Sequence, residues 1–331
     1  MTPDEEPREG APEAAPTDAP APDAAPAIDA APAPAPAPAP AARPGRLALA
    51  GVAAVALLAL VEAGVALTAP LRTPSPADWR RAAAHVRGLK RPGDLIVVAP
   101  AWADPLLRLY LGDQITMAEA GRMDAARYGR LVELSVRGGR APETRAPGVR
   151  QIARARFGGV TVTTYEQPRA EVVFDFLERW REAHVSRWRQ GREEIACVPQ
   201  GETIQCPGVG FNHVALRVLE PDYTAKRCLY VQPVDRAEVR LSFTATLGTV
   251  LAGATGLHDY HQRKTADGQV LLRVLIDGTE RLRTTQGSKD GWKLFRLDTA
   301  ALAGGPHEVT FEVSSPRPYG RHFCFAAEAR R

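Results

Sequence analysis

The sequence predicts an α+β multidomain protein with a single transmembrane helix, a small three-layer α/β domain and an antiparallel, jelly-roll-like β-sandwich. Three patterns support this fold class. A run of 23 residues carries one charge, helix-like and strand-like periods then alternate, and short strand-like runs separated by turns complete the chain. The 331 residues carry a net charge of +4, and their composition excludes a collagen-like fibre, a coiled coil, a polytopic transporter and a wholly disordered chain.

Residues 1–46 form a tail that is rich in alanine and proline. From residue 11 to residue 42, 26 of 32 residues are Ala or Pro. Proline removes a backbone donor and fixes φ, and alanine has little surface to bury, so we expect a disordered spacer rich in polyproline II. A ligand for a proline-recognition domain is the alternative, although the run contains no aromatic residue and no basic specificity element.

The run Leu47–Ala69 is long enough to cross a hydrocarbon core of about 30 Å, which takes about 20 helical residues. Glu62 is its one charge, and it has no polar stripe, which favours a transmembrane helix over a buried helix of a globular domain. Two questions stay open for this segment. It could be cleaved after Ala66, and Glu62 could pair with a partner protein or be accommodated by snorkelling or protonation.

All four cysteines, Cys197, Cys206, Cys228 and Cys324, lie after the apolar run. An even number on one side of a membrane indicates disulfides and an oxidising compartment, so we expect a cytoplasmic tail with residues 70–331 outside the cytoplasm. Of the three possible pairings, Cys197–Cys206 with Cys228–Cys324 ranks first, because it closes a short polar loop and joins an early strand to a late one. A zinc site is the alternative, but the cysteines lack its paired short spacing.

The segment 78–192, after a linker at 70–77, predicts the α/β domain. Ser75 suits the N-cap of its first helix, with Pro76 at the first helical position and Asp78 in the first turn. The predicted elements are a helix to Leu89, the strand Leu95–Ala99, a helix Asp104–Leu111, the strand Gln114–Met117, a helix Met123–Val136, a loop Arg137–Pro147, the strand Val160–Tyr165 and an amphipathic helix Glu171–Trp188.

The segment 193–331 predicts a disulfide-linked β-sandwich of seven or eight strands, with Asp-Gly turns between several of them. The predicted strands are Val214–Val218, Cys228–Val231, Glu238–Leu247, Val270–Ile276, Trp292–Leu297, His307–Val313 and His322–Ala327.

Part of the α/β segment resembles a family of membrane enzymes. The motifs Asp78–Arg81, Arg91–Asp94 before a hydrophobic strand ending in Pro100, and Tyr110–Asp113 resemble the extracytoplasmic C-terminal part of bacterial glycosyltransferases that use polyprenyl-phosphate sugar donors. Such enzymes have many membrane spans and an acidic catalytic pair in their first loop, whereas this chain has one span, so no catalytic residue is carried over. The resemblance implies a bacterial envelope setting, which we expect to be the inner membrane with periplasmic domains.

Part of the sandwich segment, within residues 271–313, resembles carbohydrate-binding-module-like jelly rolls. The residues that carry this resemblance are Leu271–Leu275, Asp277-Gly278, Gly291-Trp292, Leu297-Asp298, Leu302, Gly304 and Val309–Val313. The resemblance implies a fold more than a ligand. Trp292 is therefore a candidate sugar platform, with a core residue as the alternative.

A ligand crevice is expected at the carboxyl end of the strand Leu95–Ala99, as in other open α/β sheets. A tryptophan face beside a carboxylate suits a sugar, because the ring stacks on C–H faces and the carboxylate accepts hydrogen bonds from hydroxyls. The candidates there are Trp102 and Asp104, with Asp113, Arg122, Asp124 and Tyr128 nearby. In the structural alternative, Trp102 packs, Asp104 caps a helix, and Arg122 pairs with Asp124 on the surface.

Residues 257–261 place two imidazoles and a carboxylate close together in sequence. Metal binding by His258 and His261 is disfavoured, because in a strand they would face opposite ways and no third ligand is identifiable. Tyr260 and Arg263 are candidates for sugar contacts in this loop, with an inert surface turn as the alternative.

The sequence has no Gly-x-Ser-x-Gly, His-Glu-x-x-His, P-loop or Rossmann motif, so it predicts no catalytic residue and no cofactor. It also lacks an aromatic-interleaved basic motif, so nucleic acid is not an expected partner. These observations favour a single-pass, envelope-facing binding or scaffold protein for a glycan or an envelope protein. The alternative is an accessory or degenerate enzyme of glycan or lipid-linked sugar processing that uses the α/β crevice.

Overall fold

The computed structural model describes residues 45–189, 194–207, 213–258 and 268–331. Two units divide the chain, Met1–Ala63 and Gly64–Arg331. Helix α1 extends from Arg46 to Arg72, three residues beyond the predicted apolar run. Its segment Leu49–Thr68 is long and apolar enough to cross a membrane, by length and composition.

A four-stranded mixed sheet follows α1. Its elements are α2 (Pro76–Leu89), β1 (Asp94–Ala99), α3 (Asp104–Leu111), α4 (Met117–Ala120), β2 (Arg130–Val136), β3 (Arg150–Phe157) and β4 (Val160–Glu166). The strand order is β1-β2-β4-β3, with β1 and β2 parallel and the other pairs antiparallel. Helix α2 begins with a capping box, in which Ser75 Oγ accepts from Asp78 N at 3.2 Å and Asp78 Oδ2 accepts from Ser75 N at 3.0 Å.

Helices cover one face of this sheet. Trp79 and Val86 of α2 and Leu107 of α3 are buried there against Ile96 and Val132. Strand residues of the other face, such as Leu131 and Tyr165, pack on Ala141 and Tyr128 from loops. In the described part of the chain no helix covers this second face, so the predicted three-layer arrangement is corrected to a helix layer on one sheet.

An antiparallel β-sandwich forms the rest of the chain, as the sequence predicts. Its strands are β5 (Val172–Asp175), β6 (His184–Trp188), β7 (Ile195–Ala196), β8 (Val198–Gln200), β9 (Thr203–Gln205), β10 (His213–Leu219), β11 (Lys226–Val231), β12 (Glu238–Thr246), β13 (Val250–Leu257), β14 (Val270–Ile276), β15 (Thr279–Gln286), β16 (Lys293–Asp298), β17 (Pro306–Ser314) and β18 (Phe323–Arg330). One sheet has the order β16-β13-β18-β11-β10-β9-β8, with β5 beside β18, and the other has the order β15-β14-β17-β12-β6-β7.

The two sheets enclose one aromatic core. Phe176 lies edge-on to Phe243 and Phe311, with ring centroids 5.1 and 5.0 Å apart. Such edge-to-face pairs stabilise a core beyond the apolar area that they bury.

The predicted amphipathic helix Glu171–Trp188 is wrong. This segment forms β5, a short 3-10 turn at Trp180–Glu182, and β6. Strand β5 pairs with β18 and β6 pairs with β12, so both belong to the sandwich sheets. The sandwich therefore takes in residues 172–188, which the sequence had assigned to the preceding domain.

Two further predicted elements are wrong. The predicted helix Met123–Val136 is a loop followed by β2, in which every residue from Leu131 onward is buried. In β2 the apolar Val132, Leu134 and Val136 alternate with Glu133 and Ser135, which is the period of a strand, and the helix prediction overlooked it. The predicted strand Gln114–Met117 ends in the N-cap of α4, because Thr116 Oγ1 accepts from Glu119 N at 3.1 Å.

Both predicted disulfides are confirmed. Cys197 is bonded to Cys206 across the β8–β9 region, and Cys228 is bonded to Cys324. The second bond joins the neighbouring strands β11 and β18 in the middle of one sheet, where both cysteines are fully buried.

Candidate ligand cleft

A cavity of about 640 Å³ lies where loops of the four-stranded sheet meet the sandwich. We call it the main cleft. Its lining residues are Ala120, Arg122–Ala126, Pro142, Glu143, Ala146, Pro147, Gln167, Pro168, Thr224–Lys226, Trp292, Leu294 and Arg296. Its volume falls within the range of small-molecule sites, and apolar side chains line it beside a few charged ones.

A second cavity of about 340 Å³ continues the main cleft along the edge strand β1. The two share Arg122, Glu143 and Thr224 in their lining, and Asp104 lies in the second one. The continuous groove therefore extends from the start of α3 to the start of β16.

Trp292 forms the sandwich wall of the main cleft. Its indole Nε1 donates to the Thr224 carbonyl at 2.7 Å, and its backbone N donates to Asp222 Oδ2 at 3.4 Å. A Cβ on residue 256 would lie 2.9 Å from the indole ring, so Gly256 provides the space behind it. The ring is half-buried and packs at the margin of the sandwich core. One part of the ring therefore packs on the core and another part lines the cleft, and the role of Trp292 as a sugar platform stays a prediction.

Lys226 brings a cation to the same wall. Its Nζ lies 5.8 Å from the Trp292 ring centroid and donates to the carbonyls of Met123 at 2.6 Å and Arg122 at 3.3 Å. Burial lowers the pKa of the Lys226 ammonium, and the nearby Arg122 charge lowers it further. The cation is held against the ring by carbonyl groups of the opposite wall.

The opposite wall carries the ion pair between Arg122 and Glu143. Arg122 Nη1 also donates to the Glu119 carbonyl at 3.0 Å, and Glu143 stands in a 3-10 helix at Pro142–Arg145. Asp124 is not the partner of Arg122, which corrects the predicted surface pair.

Asp124 instead fixes the cleft loop to the sandwich. Its carboxylate accepts from Arg330 Nη1 at 2.8 Å and Nη2 at 3.0 Å, a bidentate pair with a guanidinium that is only 3% exposed. Burial alone would raise the pKa of Asp124, but the Arg330 hydrogen bonds and charge outweigh it and lower that pKa. The carboxylate is therefore a structural anion at neutral pH.

Other predicted crevice residues take separate positions. Trp102 is 56% exposed, lies under the Arg137 guanidinium at 5.7 Å, and does not line the cleft. Asp104 pairs with Arg108 at 2.6 Å within α3.

Asp113 and Tyr128 also lie away from the cleft. Asp113 accepts from Arg87 of α2 at 2.9 Å, and this bond, with another from Gln114, lowers its pKa to about 2. Tyr128 packs on the other face of the sheet, where burial raises its pKa. The structure thus unites Asp104, Arg122, Asp124 and Trp292 along one groove and separates Trp102, Asp113 and Tyr128 from it.

The candidate loop after β13 is described only at its first residue. His258 N donates to the His322 carbonyl at 3.0 Å. Tyr260, His261 and Arg263 lie outside the described residues. Among the described positions, no group of three His, Cys, Asp or Glu side chains could hold a metal ion.

Sequence reasoning did not identify Lys226, Glu143, Gln167 and Arg296 as cleft residues. They come from four separate segments, and no local motif marks them. The one local signal for this cleft was Gly291-Trp292, which marks the wall residue Trp292. Gly291, at φ 62°, turns the chain directly before that residue.

No family model and no curated protein matches the sequence. Among solved structures, the chain is similar to CBM51-2 in complex with GlcNAc and INT domains from Clostridium perfringens ZmpB, with 11% identity and a TM-score of 0.32. That match covers 56% of this chain and 40% of that chain, so this chain corresponds to less than half of its length. A match to the ZmpB M60 catalytic domain with its two CBM51 domains covers 19% of that chain.

Smaller modules are matched over most of their length. The CBM51 of Clostridium perfringens GH95 in complex with methyl-galactose is 9% identical, with a TM-score of 0.28, and the match covers 40% of this chain and 95% of that module. TmCBM61 in complex with β-1,4-galactotriose is 12% identical, with a TM-score of 0.27 and coverage of 48% and 96%. At these scores the likeness carries no argument about the ligand, and the sandwich rests on its own strand pairing.

Proposed function

We propose that this chain is a membrane-anchored binding protein that holds a carbohydrate in the main cleft without turning it over. The observation that carries the proposal is the Trp292 ring, fixed by its hydrogen bond to Thr224, in a cleft of about 640 Å³ that also holds charged groups. An aromatic face packs on the C–H face of a sugar ring, and charged groups around it bond to hydroxyls.

The polar groups of the cleft suit hydroxyl recognition. Lys226 supplies donors beside the ring, and Glu143 and Asp124 supply carboxylate acceptors across the cleft. Each carboxylate is already held by an arginine, Arg122 or Arg330, which fixes its position before a ligand arrives. Such pre-positioned groups reduce the ordering cost of binding.

The same ion pairs argue against acid–base catalysis. A glycosidase needs one carboxylic acid with a raised pKa beside a second carboxylate at a defined separation. In the cleft, the Arg330 pair lowers the pKa of Asp124 and keeps it ionised. The geometry therefore favours binding over the alternative of an accessory enzyme.

The disulfides and the apolar helix support the proposed compartment. Two disulfides indicate an oxidising compartment for residues 197–324. The segment Leu49–Thr68 suits an anchor in the bacterial inner membrane, with the tail in the cytoplasm and the later residues in the periplasm.

The test is a titration of the full chain in nanodiscs with a panel of envelope glycans, with turnover monitored in the same samples. For a glycan that binds, Trp292→Ala should weaken the Kd at least about tenfold, since a buried aromatic face contributes about 1.4 kcal/mol or more. Trp102→Ala is the matched control, because it removes an exposed tryptophan outside the cleft, and Trp292→Phe should keep part of the affinity.

Each outcome decides a part of the proposal. Saturable binding without turnover, weakened by Trp292→Ala alone, supports it. Turnover would establish the enzyme alternative. Absence of binding to every glycan, or equal losses in the two alanine variants, would reject the carbohydrate assignment and favour a protein partner.

A further inference from the structure

A second polar cavity, about 540 Å³, lies on the face of the four-stranded sheet that no described helix covers. We call it the arginine groove. It is lined by Glu133, Ser135, Arg137–Arg140, Gln151, Arg154, Arg156, Gly159, Thr161, Thr163 and Tyr165. It shares no lining residue with the main cleft, so it is a separate site.

The groove has a positive charge that the protein does not neutralise. Arg137, Arg140, Arg154 and Arg156 are exposed, and none of them forms an ion pair with a described residue. Glu133 is the one carboxylate in the lining, which leaves four positive charges against one negative charge.

The Glu133 carboxylate is already occupied by the protein. Its Oε2 accepts from Ala141 N at 2.8 Å and Thr144 Oγ1 at 3.0 Å, and its Oε1 accepts from the Tyr165 hydroxyl at 3.4 Å. It therefore holds the loop after β2 in place and leaves the arginines available for an external anion.

Two side-chain hydroxyl groups lie on the floor of the groove. Ser135 is 6% exposed and Thr163 is 3% exposed, and both line the groove. No hydrogen bond joins either hydroxyl to another described residue, and neither oxygen is a fully buried atom without a partner, so each can bond to water or to a ligand in the groove. An oxyanion that enters between the arginines would accept hydrogen bonds from both.

One end of the groove lies where the chain leaves α1. A Cβ on Gly159 would lie 3.0 Å from Pro74 Cα, and Gly159 N donates to Asp78 Oδ2 at 3.3 Å. From Thr68 the chain advances four helical residues to Arg72 and two non-helical steps to Pro74, a reach of at most about 13 Å. The headgroup layer is about 5–8 Å thick and the Debye length is about 8 Å. With Leu49–Thr68 in the membrane, a connection of this length keeps the chain at Pro74 within electrostatic reach of the membrane surface.

We propose that the arginine groove binds the phosphate groups of anionic phospholipids in the membrane that holds α1. Guanidinium groups match phosphate oxygens with paired N–H donors, and the alternation of β3 puts Arg154 and Arg156 on the groove face. The headgroup is favoured over a soluble anion because the groove begins beside the residues that follow the anchor. This inference rests on the proposed anchoring of α1 and is independent of glycan binding.

The test uses the full chain in nanodiscs of phosphatidylcholine and in nanodiscs of equimolar phosphatidylcholine and phosphatidylglycerol. The readout is amide hydrogen exchange of β3, measured by mass spectrometry. Each arginine at an anionic surface contributes about fivefold to binding. We expect at least about fivefold slower exchange of β3 in the anionic nanodiscs, and loss of this difference in Arg154→Gln/Arg156→Gln and in high salt.

The matched control is Arg236→Gln/Arg281→Gln, which removes the same charge from exposed positions of the sandwich and should keep the protection. Equal exchange in the two lipids, or equal protection in the groove variant, would overturn the proposal. Protection by inorganic phosphate in phosphatidylcholine nanodiscs, as strong as that by phosphatidylglycerol, would overturn the headgroup assignment. A chain that alkaline carbonate extracts from membranes would instead reject the anchoring, so the two failures are distinguishable.

Discussion

The two disulfides should contribute very different amounts to stability. Cys228 and Cys324 are 96 residues apart in sequence, and Cys197 and Cys206 are 9 apart. Loop-closure entropy in the unfolded chain then gives about 4.7 kcal/mol for the long loop and about 2.6 kcal/mol for the short one. The predicted difference is about 2 kcal/mol in the free energy of unfolding.

Burial adds to this difference. Cys228 and Cys324 are fully buried between central strands, whereas Cys197 is partly exposed near short edge strands. The variant Cys228→Ala/Cys324→Ala should therefore lose at least about 2 kcal/mol more stability than Cys197→Ala/Cys206→Ala. Guanidinium unfolding of the full chain in detergent micelles, followed by tryptophan fluorescence, measures both. Equal losses, or a larger loss for the short loop, would refute the loop-entropy reasoning.

The cleft ion pair predicts both a stability loss and a pH dependence. Asp124→Asn should cost about 1.5–3 kcal/mol, because it weakens two charge-assisted hydrogen bonds to the buried Arg330 guanidinium, whose Nε keeps its bond to Glu328 at 2.8 Å. Asp104→Asn, which breaks an exposed pair with Arg108, should cost at most about 0.5 kcal/mol in the same unfolding assay. The folded state lowers the pKa of Asp124, so its stabilisation is complete above the unfolded value of about 3.9 and is lost as pH falls through the folded pKa. Between neutral pH and about pH 3, the free energy of unfolding should therefore fall less in Asp124→Asn than in the parent chain. The same pH dependence in both proteins would contradict this assignment.

The sequence was sufficient to predict those elements whose capping residues or residue pattern match the helix or strand that the fold contains. The capping residues Ser75 and Pro76 marked α2, an alternating pattern marked β4, and a run of strand-like residues before an Asp-Gly turn marked β14. Both disulfides followed from strand position and loop length. In each case the pattern within a few residues was sufficient.

The two wrong helices were errors of period. In β2 the apolar Val132, Leu134 and Val136 alternate with Glu133 and Ser135, which is a strand period that extends over only a few residues. In the later segment the buried Phe174 and Phe176 likewise flank Asp175. Strand β13 was missed because it consists largely of small residues, such as Gly253, whose missing Cβ admits the Phe295 ring. Tertiary packing decides the conformation of such segments, and the local sequence does not record it.

The candidate site was predicted in part for a related reason. Trp292 and Asp104 were identified by their local motifs, but Glu143 and Lys226 enter the cleft through contacts between distant segments. Asp113 was placed in the crevice by its position in sequence, whereas its pair with Arg87 turns it toward α2. A single sequence shows which residues could bind a ligand, and not which of them the fold brings together.

The contacts that the sequence could not show are also those that make the main cleft rigid. Arg227 N donates to the Gly121 carbonyl at 2.7 Å, and Lys226 bonds to the next two carbonyls of the same loop. The Asp124–Arg330 pair ties this loop to the last strand. A Cβ at Gly121 would lie 3.0 Å from Arg227 N, so only glycine permits this close approach. Because three links hold the loop to the sandwich before any ligand binds, the cleft is formed in advance, and binding does not have to order it.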